Sequence, residues 1–386
     1  MRRLLLLGSA VVFLDVAFYT AITPLLPMYA DDLGLSKGGA GVLTASYAAG
    51  TLIAALPSGF VAARVGPRRA LLSGLLLLGL ASLTFGFSHH VLLLDIARFV
   101  QGVGGALAWA GALTWLILSS PARRGSVIGD ILGVAVAGSL LGPAIGALAE
   151  SVGTELVFSS VLIVTVGLGM LALRIPEPLN TERQKLSEVR EAMFSAPVVR
   201  ATWYVAAPSA MFGVVEVLVP LRMDALGGGA GLVAAAFTAG AAVEAMLAPA
   251  VGRLSDRIGR LRPYAVGMLV CVPPVVLLPV AEALGVVFAV LIAISVGAGL
   301  CFTPALAMLS DAAEDTRLHQ GFATGLINVA WASGQVVGGI VGGAAASAAG
   351  DTLPCLVAAA LLLGTVAAAR PMGLGGRRRV RPGGAP

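Results

Sequence analysis

Charged and aromatic residues are both scarce in this chain. Asp, Glu, Lys and Arg together make up 12% of its 386 residues, and Phe, Trp and Tyr make up 6%. Soluble domains carry about 25% charged residues, so an ordinary water-facing surface is excluded for most of the chain. Apolar residues account for 58% of the sequence, and the mean hydropathy is +0.94. This composition is typical of a membrane protein that crosses the bilayer many times.

Cysteine and histidine are scarce as well, with three of each. Cys271, Cys301 and Cys355 all lie in apolar stretches without the spacing of metal ligands, so we expect neither a disulfide framework nor a metal site. The sequence contains no P-loop and no phosphate-accepting Asp motif, and its GVGG fragment lies inside an apolar stretch. We therefore expect no cofactor and no enzyme activity, and the only energy source we expect is a proton gradient.

Long apolar stretches cover most of the chain. Each has roughly 18 to 25 residues, which is enough to cross a hydrocarbon core about 30 Å thick as a helix. The sequence predicts twelve spans, at residues 4–28, 40–62, 70–87, 91–118, 127–149, 156–173, 198–221, 231–251, 264–281, 286–309, 321–345 and 353–369.

Basic residues fall almost entirely on one side of this predicted topology. Of the 25 Lys and Arg residues, all but Lys37, Arg98 and Arg222 lie in the two tails, in alternate loops or, for Arg200, at the end of a span beside such a loop. The positive-inside rule then predicts that both termini face the cytoplasm, in a multi-pass protein of the cell membrane, the inner membrane of a bacterium. The net charge of +5 follows from this topology. We expect membrane lipids rather than nucleic acid near the basic tail.

A repeated signature marks an internal duplication. It occurs first in SGFVAARVGPRRA and again 193 positions later in AVGRLSDRIGRLR, and each copy is predicted to form a short basic turn between two spans. The first copy contains Gly59, Arg64, Gly66, Arg68 and Arg69, and the second contains Gly252, Arg257, Gly259, Arg260 and Arg262. A protein built from two copies of one membrane unit has a pseudo-symmetric interface, and in transporters a solute crosses there.

One long polar segment divides the twelve spans into two sets of six. The sequence predicts an amino-terminal six-helix bundle at 1–174, a cytoplasmic linker at 175–197, a carboxy-terminal six-helix bundle at 198–370 and a basic cytoplasmic tail at 371–386. Within the linker, Leu186, Val189 and Met193 recur at helical spacing, which predicts a short interfacial helix.

These motifs resemble those of the major facilitator superfamily, and within it the twelve-span drug:proton antiporters. The first basic turn matches motif A of that family except that Ala63 stands at the acidic position, whereas the second copy keeps Asp256 beside Arg257. Arg98, Gln101 and Gly102 resemble motif B. The fifth span resembles motif C, which is associated with exporters, through Gly129, Gly138, Gly142, Pro143 and Gly146.

The resemblance implies an all-α polytopic membrane protein with the major facilitator fold. That fold has two six-helix bundles related by a pseudo-two-fold axis, with 12 transmembrane helices around a central cavity. It implies alternating access, in which the two basic turns and the glycine-rich fifth span act in gating. A small-molecule substrate and protons are the expected partners, and we expect a monomer.

The glycines of the fifth span have a second interpretation. Small residues at four-residue intervals let another helix approach closely, and Pro143 removes a backbone hydrogen bond and can bend the helix. A bend at a close helix contact can serve as a rocking element or a seal. The alternative is plain helix packing.

Four acids lie well inside predicted spans and are balanced there by one base. The acids are Asp15, Asp95, Glu216 and Glu244, and the base is Arg98. Asp15 lies about 16 Å into its span at 1.5 Å per residue. Burial favours the neutral form of a carboxyl group, so such groups can exchange protons near neutral pH. The alternative for Glu216 is a position in a wetted vestibule, where it has no role. The alternative for Arg98 is a local ion pair with Asp95.

Polar and aromatic side chains share one face of the eleventh span. Asn328, Trp331 and Gln335 follow one another at helical spacing, and Tyr19 lies one turn from Asp15 in the first span. Aromatic rings beside acids suit an amphipathic cation, although Trp and Tyr also serve as interfacial anchors. We expect the substrate and proton-coupling residues to come from this set, the four acids, Arg98 and Gln101.

We expect proton-coupled efflux of a small amphiphilic compound, drug-like or cationic, of the kind that confers drug resistance. Two alternatives remain open at this point. The first is a sugar or metabolite exporter, or a proton-coupled importer, of the same fold. The second is a membrane receptor that does not transport, which the missing acid at Ala63 favours.

Overall fold

A computed structural model of the chain describes residues 2–120, 124–177, 186–316 and 320–369. These residues form fourteen α-helices and one 3-10 turn at Leu278–Val280, with no β-strand among them. The helices are α1 Arg2–Thr20, α2 Ile22–Asp32, α3 Lys37–Arg64, α4 Pro67–Phe87, α5 Val91–Ser119, α6 Arg124–Val152, α7 Thr154–Leu173, α8 Leu186–Met193, α9 Ala196–Ala225, α10 Ala230–Ile258, α11 Leu261–Leu277, α12 Leu284–Asp315, α13 Gln320–Ala349 and α14 Thr352–Ala368.

Within the described residues, eleven segments are long and apolar enough to cross a membrane. Helices α1 and α2 form the first of them, and α14, with 17 residues, is a shorter apolar helix at the position of the twelfth predicted span. At 1.5 Å per residue α14 reaches about 25 Å, near the lower limit for a crossing. The fold is therefore that of a twelve-helix membrane protein, as the sequence predicts.

The first span is broken where a proline enters it. Helix α1 ends at Thr20, and α2 begins at Ile22 with Pro24 as its third residue. Proline has no backbone N–H, so the carbonyl of Thr20 loses its partner in the helical ladder. Next to Tyr19, the first span therefore departs from a continuous helix.

Glycines with positive φ angles repeat the duplication in the backbone. Gly66 (φ 109°) and Gly259 (φ 89°), each at the turn of a basic signature, lie 193 positions apart. Gly34 (φ 61°) and Gly227 (φ 84°) are separated by the same interval. Side chains with a Cβ rarely adopt such angles, so glycine is required at these sharp connections. The equal spacing shows that both halves turn in the same way.

Helix packing is the same in the two halves. In the amino half, α1–α7, the main pairs are α4 with α5, α3 with α5, α1 with α6 and α4 with α7. In the carboxy half, α9–α14, the equivalent pairs are α11 with α12, α10 with α12, α9 with α13 and α11 with α14. The halves meet where α3 packs on α13 and α6 packs on α10, which are again equivalent pairs. The molecule therefore has pseudo-two-fold symmetry.

The glycines of motif C lie at close helix contacts. A Cβ built on Gly142 of α6 would collide with the carbonyl oxygen of Ala17 in α1, and Gly138 and Gly146 approach the same span. Gly334, Gly338 and Gly342 of α13 approach α9 in the same manner. These contacts are those of close helix packing. Gly129, near the start of α6, has no neighbour within 4 Å at its Cβ position.

The two ends of the helix bundle are called the terminal face and the opposite face. The start of α1 and the end of α14 lie at the terminal face, because twelve crossings return the chain to the side where it began, and the connection between α2 and α3 lies at the opposite face. Large apolar side chains are exposed around the outside between them, as at Ile163 (75%) and Leu156 (66%) in α7. A surface of this kind requires a lipid environment.

The segment between the halves contains the predicted short helix. Helix α8 occupies Leu186–Met193, as the helical spacing in the linker predicts. The remainder of the linker at 178–185 and the basic tail at 371–386 lie outside the described residues. The domain boundaries themselves stay a prediction.

Candidate functional site

A cavity of about 270 Å³ lies between the two halves. Helices α1, α2 and α6 of the amino half and α9, α10, α12 and α13 of the carboxy half all contribute to its walls. Its polar lining residues are Tyr19, Thr20, Thr23, Ser139, Glu216, Glu244, Ser295 and Gln335. Its apolar lining residues are Pro143, Phe212, Phe237, Ala241, Leu291, Phe302 and Trp331. Among the described residues that line it, two are acidic and none is basic.

Glu216 forms a hydrogen-bonded contact between the halves. The hydroxyl of Tyr19 in α1 donates to Glu216 Oε2 at 3.0 Å, and Gln335 Nε2 in α13 donates to the same oxygen at 3.3 Å and to the Tyr19 hydroxyl at 3.1 Å. Trp331 packs edge-on against the Tyr19 ring at 5.2 Å. The structure therefore places Glu216 at the contact between the halves.

Glu244 lies on the wall of the cavity formed by the carboxy half. It stands on α10 and interacts with the hydroxyl of Ser295 in α12. Phe237 on the same helix and Phe302 on α12 line the cavity with it, and Phe302 packs against Phe212 with ring centroids 5.7 Å apart. An acid beside several aromatic rings can attract an organic cation through its charge and through cation–π contact.

Arg98 is fully buried inside the amino half, where it holds the break in the first span. Its guanidinium donates to the carbonyl oxygens of Phe18 (3.3 Å) and Tyr19 (3.1 Å) and to the side chain of Gln101 (3.0 Å). Carbonyls at the end of a helix carry partial negative charge, so a cation is stabilised there. Among the described residues no ion pair joins Arg98 to Asp95. The local pair considered above is thus absent from this conformation.

Asp15 lies in the amino half next to this network and is not among the cavity residues. Its carboxyl oxygens accept hydrogen bonds from the Tyr47 hydroxyl (2.8 Å) and the indole N–H of Trp109 (2.9 Å). The ring of Tyr47 lies 4.8 Å from the ring of Tyr19 and 5.0 Å from the Arg98 guanidinium. Asp15 and Glu216 are therefore connected through two contacting tyrosines.

Three other predicted site residues lie away from the cavity. Gln101 is buried and links Arg98 to the hydroxyl of Ser82 at 3.0 Å. Asp95 is partly buried in the first turns of α5, and its Oδ1 has no hydrogen-bond partner among the described residues. Asn328 precedes Trp331 by one turn of α13 and does not belong to the described lining. The structure thus gathers Tyr19, Glu216, Glu244, Trp331 and Gln335 at one place.

The two basic turns are shorter than the sequence suggests. Only two residues connect α3 to α4, and two connect α10 to α11, because these helices extend two to seven residues past the predicted spans. Gly59 and Arg64 lie on α3, Arg68 and Arg69 on α4, and Gly252, Asp256 and Arg257 on α10. The guanidinium of Arg64 lies 3.9 Å from the centroid of the Phe60 ring.

Acids from outside the turns pair with their arginines. Arg68 pairs with Glu177 (3.4 Å), which follows α7, and Arg260 pairs with Asp311 (3.0 Å) of α12. Neither pair joins one half to the other. Asp256 forms no ion pair with any residue that the structure describes.

An ion pair joins the halves at the opposite face. Lys37 Nζ at the start of α3 lies 2.6 Å from Asp351 Oδ1, which precedes α14. The backbone N–H of Gly38 donates to the Ser347 hydroxyl of α13 at 2.8 Å beside it. Within the described part of the chain, ion pairs between the halves occur at this face and not at the terminal face. In this conformation the two halves are therefore joined by polar contacts at the opposite face.

Sequence reasoning missed the partners of the predicted residues. Tyr47 and Trp109, which bond Asp15, and Phe212, Phe237 and Phe302, which line the cavity, were not predicted. The sequence of an apolar helix does not show which neighbouring helix its aromatic residues face. Lys37 did carry a signal, since it is one of two basic residues in the loops of the opposite face.

Two six-helix halves that enclose a cavity are an architecture found in many α-helical membrane transporters. The structure is similar to the crystal structure of a bacterial homologue of the human lysosomal transporter Spinster, in an inward-facing and unoccupied conformation. The TM-score is 0.75 at 14% identity, over 94% of this chain and 95% of that one. The sequence matches the Major Facilitator Superfamily over residues 6–339 and again over 209–382. The chain belongs to the major facilitator superfamily.

Several named relatives match part of the chain. The MFS-type transporter ppzB of Metarhizium majus (strain ARSEF 297) is 30% identical over 172 residues, 42% of this chain and 38% of that protein. The probable vesicular acetylcholine transporter-B of Danio rerio is 32% identical over 191 residues, 46% of this chain and 39% of that protein. The quinolone resistance protein NorA of Staphylococcus aureus is 24% identical over 188 residues, 46% of this chain and 48% of that protein. The chain thus spans less than half of the length of these relatives.

Proposed function

We propose that the chain exports a small amphiphilic cation from the cytoplasm in exchange for protons. The observation that carries this proposal is the cavity between the halves, whose described lining has Glu216 and Glu244 as its charged residues together with five aromatic rings. A low-dielectric cavity with acids and no base favours cations over anions. Aromatic and aliphatic walls favour a substrate with apolar surface.

The contact between Tyr19 and Glu216 provides a way to couple protons to the conformational change. A carboxylate accepts hydrogen bonds from Tyr19 and Gln335 more strongly than a neutral carboxyl does. Protonation of Glu216 therefore weakens a contact that joins the two halves. Differential affinity of the proton for the two conformations is what shifts their populations.

Arg98 and Asp15 are assigned supporting roles in this proposal. Arg98 fixes the backbone of Tyr19 through its carbonyl, and so positions the hydroxyl that reaches Glu216. Asp15 bonds Tyr47, whose ring contacts Tyr19. A change of protonation at Asp15 would therefore be transmitted to the contact between the halves through the two tyrosine rings.

The direction of transport is proposed from topology and from the motif C resemblance. The positive-inside rule assigns the terminal face to the cytoplasm, and the ion pair Lys37–Asp351 closes the opposite face. A substrate would then enter from the cytoplasm and leave after this pair opens. One relative is named for quinolone resistance and another for acetylcholine transport. Acetylcholine is a quaternary ammonium cation.

The driving force depends on the substrate's charge. If a monovalent cation is exchanged for one proton, no net charge moves, and only the pH difference drives transport. One pH unit then supports about a tenfold concentration ratio. If the substrate is neutral, the membrane potential contributes about 2.3 kcal/mol per 100 mV as well.

A transport screen in proteoliposomes tests the proposal. Purified protein is reconstituted, a pH difference is imposed, and uptake is compared for monocations, neutral amphiphiles, anions and sugars of similar size. Uptake of monocations into vesicles with an acidic lumen supports the proposal. Preference for sugars, or substrate movement in the same direction as protons, would support the exporter or importer alternatives, and absence of uptake across the panel would support a receptor.

A further inference from the structure

We propose that Glu177 supplies the carboxylate that the amino-half basic turn lacks at Ala63. The first residues of the linker would thereby become a positioning element for the conformational change. This inference rests on alternating access as proposed above, but it does not depend on which substrate is carried. Its basis is the group of contacts around Gly66 and Arg68.

Glu177 binds both the backbone and the side chain of Arg68. Its Oε1 accepts the backbone N–H of Arg68 at 3.0 Å, and its Oε2 lies 3.4 Å from Arg68 Nε. Arg68 is the second residue of α4, where backbone N–H groups have no partner within the helix. A carboxylate at this position stabilises the helix end and satisfies one of these groups.

The turn leaves space for this carboxylate. Gly66 precedes α4 with φ of 109°, and a Cβ built on it would lie 2.7 Å from Glu177 Oε1. Any side chain at this position would therefore have to displace Glu177. Gly66 therefore both allows the sharp turn and leaves room for the Glu177 carboxylate.

The residues before Glu177 are fixed to the same part of the amino half. Ile175 is buried in the apolar cluster of that half. The carbonyl of Pro176 accepts the indole N–H of Trp115 in α5 at 3.3 Å, and the Arg68 guanidinium lies 5.8 Å from the Trp115 ring. The start of the linker is thus attached to α4 and α5 by Ile175, Pro176 and Glu177 together.

Among its described residues, the carboxy half has no counterpart of this contact. The position equivalent to Arg68, 193 residues later, is Leu261, which cannot form the same ion pair. Arg260 instead pairs with Asp311 of α12. The acid that pairs with the amino-half turn, Glu177, therefore comes from the linker that leads into the carboxy half, whereas the acid that pairs with the carboxy-half turn comes from α12.

This contact lies where the amino half ends and the linker to the other half begins. While Glu177 is bound to the turn, the linker begins at a fixed point on α4. When the contact is lost, the helix end and the linker are released together. A carboxylate at a helix end contributes roughly 1 kcal/mol, which corresponds to about a fivefold change in the ratio of two conformations.

Distance measurements between the two turns test this inference. Spin labels are attached at Val65 and Ile258, which are equivalent exposed positions beside Gly66 and Gly259. Distances are measured by electron paramagnetic resonance without substrate or a proton gradient. Glu177→Gln is expected to reduce the population with the distance of this structure about fivefold relative to the other population. Glu191→Gln, which changes an exposed acid of α8, is the matched control and is expected to change nothing.

Rescue decides whether the acid at Glu177 replaces the one missing at Ala63. The double variant Ala63→Asp/Glu177→Gln is expected to restore the populations to within about twofold of the parent. Arg68→Gln leaves the bond from the backbone N–H to Glu177 in place, so it is expected to give a smaller shift than Glu177→Gln, with no further shift when the two are combined. An unchanged distribution in Glu177→Gln, or a failure of Ala63→Asp to restore it, would overturn the inference. Because no substrate is used, neither result bears on the proposed export of a cation.

Discussion

The hydroxyl of Tyr19 and the carboxyl of Glu216 lie 3.0 Å apart across the boundary between the two halves. Gln335 donates to both groups, and Arg98 holds the backbone carbonyl of Tyr19 from inside the amino half. A proton that binds Glu216 therefore acts on a contact that has to change when the halves move. This gives a physical link between proton binding and access to the cavity.

Removal of either partner of this contact is expected to uncouple the transporter. Hydrogen bonds to charged groups contribute about 1.5–3 kcal/mol, so Tyr19→Phe should lower proton-driven flux by about tenfold or more. Glu216→Gln should abolish it, and the double variant should be no worse than Glu216→Gln alone. Initial rates in proteoliposomes measure this. Independent, multiplied losses in the double variant would show that the two residues do not act as a pair.

Asp15→Asn is expected to abolish coupled transport and to lower stability. Asp15 accepts hydrogen bonds at both oxygens, from Tyr47 and Trp109, and an amide NH₂ group cannot accept the second one. A buried donor without a partner costs about 1–3 kcal/mol. Flux and thermal unfolding in detergent are the measurements. Wild-type flux in this variant would remove Asp15 from the mechanism.

Replacement of Arg98 by Lys is expected to inactivate transport, because one ammonium cannot reproduce the planar group that reaches Phe18, Tyr19 and Gln101. Asp95→Asn should leave flux within about twofold of wild type, since no ion pair joins it to Arg98 among the described residues. If Asp95→Asn is as inactive as the Arg98 variant, and the two together recover activity, the residues act as a pair after all.

The ion pair between Lys37 and Asp351 is expected to hold the opposite face closed. Partly exposed pairs contribute about 0.2–1 kcal/mol, so Lys37→Asp should increase the outward-open population by up to about fivefold. The exchange variant Lys37→Asp/Asp351→Lys should reverse the change. Reactivity of a cysteine placed at Thr23 in the cavity wall, towards an impermeant reagent added from that side, reports the opening. Equal reactivity in all three proteins would show that the pair has no part in closure.

The fold could be predicted from the sequence because membrane spans and duplication leave periodic signals. Apolar length determines where a helix can cross, and the repeated glycines correspond to repeated positive φ angles, as at Gly66 and Gly259. Helix ends were less predictable. Helix α10 continues to Ile258, seven residues past the predicted span, because a helix does not end where its apolar stretch ends.

The candidate site could be predicted only in part. A charged residue inside a span is costly and therefore noticeable, which is why Glu216 and Glu244 were found. Their surroundings depend on which helices meet, and the sequence gives no distance between α1 and α9 or between α10 and α12. The same limitation applies to Glu177, whose contact with Arg68 spans 109 positions of sequence.

The central claim is proton-coupled export that depends on Glu216. Its most direct test is the accumulation of ethidium, whose charge is permanent and independent of pH, in proteoliposomes with an acidic lumen. The membrane potential is held at zero with valinomycin and equal potassium on both sides. The account predicts accumulation with the wild-type protein, none without a pH difference, and none with Glu216→Gln. Accumulation that is equal with and without the pH difference, or equal in Glu216→Gln, would contradict it.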